Sequence, residues 1–267
     1  MRSIVIPADI RQHNQTMEVL QGKLATIRNH ILRMNAIEPD VSIIIPAYNE
    51  EACILKTLSS LAASSTVKKV EIIVVNNNSM DKTGELAAAA GVVYTVETKQ
   101  GITPARNAGL QMARGNYILN ADADTIYPSE WIDLMLSPLL DDNVAMVYGD
   151  FSFIPGVGTS RLSYTAYEYL SGLSRWINKK FREEAMNVYG FNSAFRRTEG
   201  LTVGGFDHPA GTNEDGWLAV KLRNSFQKRL YKVTDPRALV WTSDRRIQMD
   251  GGLYEAIFKR IRRHLMK

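Results

Sequence analysis

The chain has 267 residues, 45% of them hydrophobic and 22% charged, with one cysteine and a formal net charge of +4. Those proportions are those of an ordinary globular protein and exclude a disordered, collagen-like or disulfide-scaffold chain. The lone Cys53 makes no internal bridge, no apolar run approaches the ~18 residues that span a bilayer, and residues 1–10 lack the apolar core of a signal peptide. The expectation is a cytoplasmic protein of one large domain or two small ones. The basic surplus is concentrated late: from Lys221 onward there are thirteen Lys or Arg against four Asp or Glu.

Residues 1–15 are polar and unpatterned and are expected to form a loose arm. Leu20, Leu24, Ile27 and Ile31, spaced by three and four, predict one amphipathic helix over 16–35, ended by Glu38-Pro39-Asp40. The β-branched run 41–47 predicts a strand buried on both faces. The pattern then alternates: helix 50–63, strand 70–75, helix 81–90 with Gly91 as its C-terminal stop, strand 92–96, helix 103–114, strand 117–120. Such alternation predicts a mostly parallel sheet with helices on both faces, and ligands at the carboxyl ends of its strands. Further on, the spacing predicts helix 129–140, strand 144–148, helix 162–181, strand 191–196, helix 214–226, strand 238–241 and helix 252–266.

Three strands end in polar clusters: Pro46-Ala47-Tyr48-Asn49-Glu50, Asn76-Asn77-Asn78-Ser79 followed by Asp81, and Asp122-Ala123-Asp124. Asn, Asp and Ser are also ordinary turn and cap residues, so the first two clusters read equally as loop chemistry. Asp122 and Asp124 point to the same side of the chain, and two such carboxylates repel unless a hard cation, Mg2+ or Mn2+, lies beside them. The alternative is a solvated acidic turn. Thr103 and Pro104 suit the N-cap and first position of a helix, where Arg106 either faces a phosphate or turns to solvent. Glu214-Asp215 opens another helix, as a dipole-matched pair or with one member acting as a general base.

Taken in order, these segments, with Gly101-Ile102-Thr103-Pro104-Ala105-Arg106-Asn107-Ala108-Gly109 and Asn213-Glu214-Asp215, resemble the family 2 inverting glycosyltransferases of the GT-A fold. The resemblance covers about residues 41–220. It implies an α/β GT-A domain with helical extensions: an arm and helix over 1–40, a nucleotide-sugar half over 41–125, an acceptor-side half over 126–250 and a basic helix over 251–267. It implies that Pro46, Ala47, Tyr48 and Glu50 line the nucleotide pocket, that Asn76 and Asn78 contact the base, and that Arg106 lies near the nucleotide. It further implies that Asp122 lies by the ribose and donor sugar, that Asp124, with Asp122, holds Mn2+ or Mg2+, and that Asp215, beside Glu214, is the catalytic base. The family usually has Asp where this chain has Asn76; an amide both donates and accepts. UDP is the favoured nucleotide, with GDP as the alternative.

Gly204 and Gly205 resemble the family's acceptor-side loop, and Arg245 and Arg246 suit a diphosphate or an acceptor phosphate; ordinary turns and a solvated basic loop are the alternatives. No Gln-x-x-Arg-Trp motif of processive synthases occurs. The expected reaction is single-sugar transfer to a glycan or lipid-linked glycan, as in envelope polysaccharide synthesis. The terminal helix sets Tyr254, Ile257, Phe258, Ile261 and Leu265 on one stripe among Lys259, Arg260, Arg262, Arg263 and Lys267, a pattern shared by helices lying on anionic lipid at the inner membrane face and by helices packed on a core. A nucleotidyltransferase would carry a Gly-rich basic loop after the first strand, a dinucleotide enzyme Gly-x-Gly-x-x-Gly; neither is present. A non-catalytic binder of anionic polymer, nucleic acid included, is disfavoured by the strand-end carboxylates.

Overall fold

The computed structural model describes residues 3–156 and 158–265, the side chains of 259–265 excepted. In chain order the elements are α1 (Ala8–Arg11), α2 (Met17–Gly22), α3 (Leu24–Met34), β1 (Val41–Ala47), α4 (Ile54–Ala62), β2 (Val70–Asn76), α5 (Thr83–Ala89), β3 (Val93–Val96), α6 (Ile102–Met112), β4 (Tyr117–Asn120) and β5 (Thr125–Ile126). Then follow α7 (Trp131–Leu136), β6 (Val144–Gly149), β7 (Phe151–Ile154), α8 (Arg161–Phe181), β8 (Ser193–Arg196), α9 (Arg197–Thr202), α10 (Glu214–Phe226), β9 (Arg229–Val233), β10 (Val240–Ser243), α11 (Arg245–Met249) and α12 (Gly252–Leu265).

Seven strands form one sheet in the order β3-β2-β1-β4-β8-β6-β9. All neighbours are parallel except β8, which runs antiparallel to both β4 and β6. β1 and β2 are buried at every position, as their unbroken β-branched sequences require. One apolar cluster, with Ile43, Ile45, Leu58, Val74 and Trp131, covers one face; a second, with Ile44, Ile73, Val75, Leu110 and Phe195, covers the other. The chain order reverses at β1: β2 and β3 lie on one side of it, β4 on the other. The crevice beyond the carboxyl ends of β1 and β4 is therefore the topological switch point. A three-stranded sheet, β5-β10-β7, stands beside it.

Several expectations are corrected. Of the stretch expected to be loose, residues 3–15 are described and are held down: α1 forms there, Ile10 is buried against Ile126 and Trp241, and a His13 ring nitrogen lies 2.8 Å from Ser59 Oγ. The single helix over 16–35 is two helices, broken after Gly22, a poor helix former. Helix α6 starts earlier than expected, with Gly101 at φ 133 as its N-cap, so Thr103 and Pro104 lie inside the first turn. Helix 129–140 becomes α7 followed by a 3-10 turn over Ser137–Leu140, since Pro138 donates no hydrogen bond. The strands β5, β7 and β9 and the helices α9 and α11 carry no pattern recognised in the sequence. On α12, the stripe members Ile261 and Leu265 and the basic residues from Lys259 onward lie outside the described side chains, as does Met266. No helix among the described residues is long and apolar enough to cross a membrane.

Candidate active site

The crevice at the switch point is a cleft of about 570 Å3 whose lining includes Pro46, Ala47, Tyr48, Asn49 and Glu50 from the β1 end, Asn77, Gln100 and Gly101, the Asp122-Ala123-Asp124 turn, and Arg245 and Arg246 of α11. Its walls are stitched by short bonds between loops. The Asn49 amide donates to Ser79 Oγ at 3.0 Å, the Glu50 amide to Thr83 Oγ1 at 2.7 Å, and Thr57 Oγ1 to the carbonyls of Ala123 and Thr125 at 2.9 and 2.8 Å. Asp124 is fixed by the small sheet: Ser243 Oγ donates to its Oδ2 at 2.7 Å and the Ser243 amide to its carbonyl at 3.1 Å. The Asp122 amide donates to Tyr127 Oη at 2.9 Å, whose hydroxyl donates to the Phe191 carbonyl at 3.1 Å.

The sequence expectations for the second strand end need correction. Asn76 does not line the cleft; its Nδ2 donates to Tyr94 Oη at 2.9 Å and its Oδ1 accepts from the Ser79 amide at 3.1 Å. Asn78, at φ 63, is exposed and also stands off the lining. The neighbour between them, Asn77, is in the wall, clamped by the carbonyls of Glu97 and Lys99 and by the Gly101 amide. Arg106 is corrected too. It is 1% exposed, so it neither turns to solvent nor faces an open phosphate site. Its Nη2 donates to Asp122 Oδ1 at 2.8 Å and its Nε stands 3.5 Å from Asp215 Oδ1. One buried guanidinium thus joins the two carboxylates that the sequence singled out separately. A Cβ at position 190 would collide with Arg106 Nη2 and Asp215 Oδ1 and force that ion pair to shift, so glycine leaves it its room; no local pattern marks Gly190 in the sequence.

The electrostatics follow from this burial. The Asp215 carboxyl is pushed up to about 7 by burial, with Arg106 opposing and Glu214 and Asp122 adding to the rise. Asp122 is raised by burial against the pull of Arg106. Glu50 is pushed up to about 7 by burial, held back by the hydrogen bond from Arg245 and raised further by Asp124 and Asp122. Arg106 keeps its charge although burial opposes it, because Asp215, Asp122 and Glu214 surround it.

No trio of His, Cys, Asp or Glu poised to cage a metal occurs among the described residues. The residues present nevertheless fit a hard cation shared with a ligand. Glu50 Oε2 is buried with no hydrogen-bond partner among the described residues, and the negative field of Asp124 raises both Glu50 and Asp122, a field that a divalent ion relieves. Asp124, with Asp122, would supply the protein ligands, the remainder coming from phosphate oxygens and water. Gly204 and Gly205, at φ 77 and 57, lie outside the cleft lining; the loop is tied to α10 by Lys221 Nζ, which donates to the Gly205 carbonyl at 2.6 Å, and to α6 by Asn107 Oδ1, which accepts from the Phe206 amide at 2.8 Å.

A second cleft of about 330 Å3 shares Asp122, Asp124 and Arg246 with the first and is walled by Phe151, Phe153, Tyr167, Tyr189 and Phe191. Tyr189 and Phe191 stack with centroids 5.6 Å apart, and Phe151 meets both edge-on. These aromatics were not among the sequence candidates; the alternation in Phe151-Ser152-Phe153 was their only local signal.

A family model described as Glycosyl transferase family 2 matches residues 42–199, more than half of the chain, and the chain belongs to that family. The probable glycosyltransferase YdaM of Bacillus subtilis (strain 168) is 30% identical over 223 residues, covering 77% of this chain and 51% of that protein. Glycosyltransferase AglE of Haloferax volcanii is 29% identical over 164 residues, 58% of this chain and 54% of that protein. The chain spans about half the length of these curated relatives. Among solved structures, the mannosyltransferase PcManGT of Pyrobaculum calidifontis, in complex with GDP-Man and Mn2+, aligns with a TM-score of 0.58 at 21% identity, over 96% of this chain and 75% of that one. At that identity the likeness is one of fold, and the fold is the GT-A type.

Proposed function

We propose that the chain is a metal-dependent inverting glycosyltransferase that moves a sugar from a nucleoside-diphosphate donor, UDP-linked in the first instance and GDP-linked as the alternative, to a hydroxyl of a glycan or lipid-linked glycan. The observation that carries the reading is the shared ion pairing of Arg106 with Asp122 and Asp215. It ties a carboxylate of the nucleotide-sized cleft to a buried carboxyl whose proton affinity suits a base working near neutrality.

In this reading the first cleft takes the nucleotide, with Asn77 and the β1 end against the base and ribose and Arg245 and Arg246 toward the diphosphate. The aromatic cleft takes the acceptor, since flat ring faces suit the apolar faces of sugars. Asp215 accepts the proton of the acceptor hydroxyl as that oxygen bonds to the anomeric carbon and the carbon–oxygen bond to the diphosphate breaks. Attack from the side opposite the leaving group inverts the centre. Mn2+ or Mg2+ held by Asp124 with Asp122, when bound, supplies charge neutralisation on the diphosphate.

The test is a thermal-shift screen of UDP- and GDP-sugars with and without Mn2+, followed by measurement of nucleoside-diphosphate release in the presence of acceptors. Donors plus Mn2+ should raise the unfolding midpoint by mass action. A protein that no nucleotide sugar stabilises, and that releases no diphosphate, does not have this function.

A further inference from the structure

The 21-residue helix α8 is built with its charges inward. Arg161, Glu168 and Arg175, its only charged residues before Lys179, are all buried. Arg161 pairs with Glu168 at 2.8 Å, Glu168 also accepts from the Phe153 amide at 2.8 Å, and Arg175 lies 3.5 Å from Asp150. The outer side carries Leu162, Ala166, Tyr169, Leu173 and Trp176, all exposed and spaced alternately by four and three, hence one stripe. Tyr169, Leu173 and Trp176 are 55%, 55% and 53% exposed. The stripe runs for about 20 Å with no charge interrupting it. A continuous exposed apolar face of this kind marks a surface that meets something else.

The charge at its end says what. Lys180 is exposed, its Nζ 5.3 Å above the Trp176 ring and 5.6 Å above Phe181. Neither Lys180 nor the exposed Arg182 pairs with a carboxylate among the described residues. The adjacent acids Glu183 and Glu184 are engaged by Arg223 and Lys179. A second copy of this face would bring apolar side chains and cations but no acid to meet them. A lipid surface bearing negative headgroups meets both parts, with hydrocarbon for the stripe and anions for Lys180 and Arg182. We propose that the outer face of α8 docks on an anionic membrane surface. Tyr254 and Phe258 of α12 are exposed as well, and Ala256 of that helix lines the aromatic cleft together with Tyr167 of α8. The docking face is therefore the outside of a cleft wall. The docking does not depend on the transfer reaction, because vesicle binding is read without turnover.

The experiment is flotation of the full chain with vesicles. Wild type should float with phosphatidylcholine vesicles containing phosphatidylglycerol and far less with phosphatidylcholine alone. L173E/W176E should lower the bound fraction by about tenfold or more with an unchanged melting midpoint, since both side chains are already exposed. K180E/R182E should remove the preference for the anionic vesicles. Equal flotation of wild type and L173E/W176E, or no flotation of wild type, overturns the proposal. So does a dimer in sedimentation velocity that L173E/W176E dissociates without any vesicle binding, which assigns the face to a second copy of the chain.

Discussion

Arg106 Nε and Asp215 Oδ1 stand 3.5 Å apart in a pocket where the arginine side chain is 2% exposed and the aspartate 12%. The same guanidinium donates to Asp122 at 2.8 Å, while its Nε and Nη1 have no hydrogen-bond partner among the described residues. Two carboxylates from distant parts of the chain, one after β4 and one at the start of α10, are thereby referred to one rigid cation. In the proposed reaction Arg106 is a positioning residue: it sets the distance between the base and the donor side of the cleft without touching either substrate.

Removing that cation should be costly. R106M leaves two buried carboxyls facing each other, and breaking a buried pair from one side costs about 3–5 kcal/mol. The loss should be larger at pH 8 than at pH 5, because at the lower pH both carboxyls, already raised by burial, take up protons instead of repelling. Urea unfolding at the two pH values measures it. An R106M midpoint equal to wild type at pH 8 would show that the ion pairs are not structural.

Transfer should depend on the ionisation of Asp215. Only its carboxylate accepts a proton, so kcat/KM should climb with pH and level off above an inflection at about 7. D215N should lower kcat by about a hundred- to ten-thousand-fold while donors plus Mn2+ still raise its unfolding midpoint. A D215N variant that turns over like wild type would remove Asp215 from the base role.

The strand over Val41–Ala47 and the helix over Glu214–Phe226 were legible because each carries its cause locally: a β-branched run buried on both faces in the one, an acidic first turn in the other. The position of the candidate cleft was legible as strand ends, because the crevice of a parallel sheet opens at its topological switch point. Which amide of Asn76-Asn77-Asn78 enters the cleft was not, since a shift of one residue in a pleated strand exchanges its two faces. β7 and β9 were missed because they are short strands defined by partners far along the chain: Phe151–Ile154 pairs with β10, and Arg229–Val233 with β6. The burial of Arg106 depends on Gly190 and on Phe206, whose ring its guanidinium faces at 5.7 Å, neither predictable from the helix that bears it.

Ser243 should tune the metal through Asp124. Its Oγ donates to Oδ2 at 2.7 Å and orients the carboxylate that would bind the ion. Partners of this kind typically matter by about 10–100-fold in metal affinity. S243A should therefore weaken Mn2+ binding in the presence of UDP by about tenfold or more, measured by calorimetric titration, and D124N should abolish it. EDTA should erase the donor-induced thermal shift and added Mn2+ restore it. Unchanged Mn2+ affinity in D124N would place the metal elsewhere.

Glu50 should make the folded state less stable as pH rises. Its carboxyl is pushed up to about 7 in the fold against 4.5 when free, so between those values the native chain holds a proton that the unfolded chain has released. The contribution is fully present below pH 4.5 and is lost as pH rises through 7. E50Q keeps a neutral group of the same shape at every pH, and the half-exposed Arg245 that it releases can turn to water. The difference in unfolding midpoint, E50Q minus wild type, should consequently grow in favour of E50Q from pH 5 to pH 8. Mn2+ together with a nucleoside diphosphate should shrink it again, because a cation beside Glu50 Oε2 favours the carboxylate that burial penalises. A difference independent of pH would mean that Glu50 ionises as freely in the cleft as it does in water.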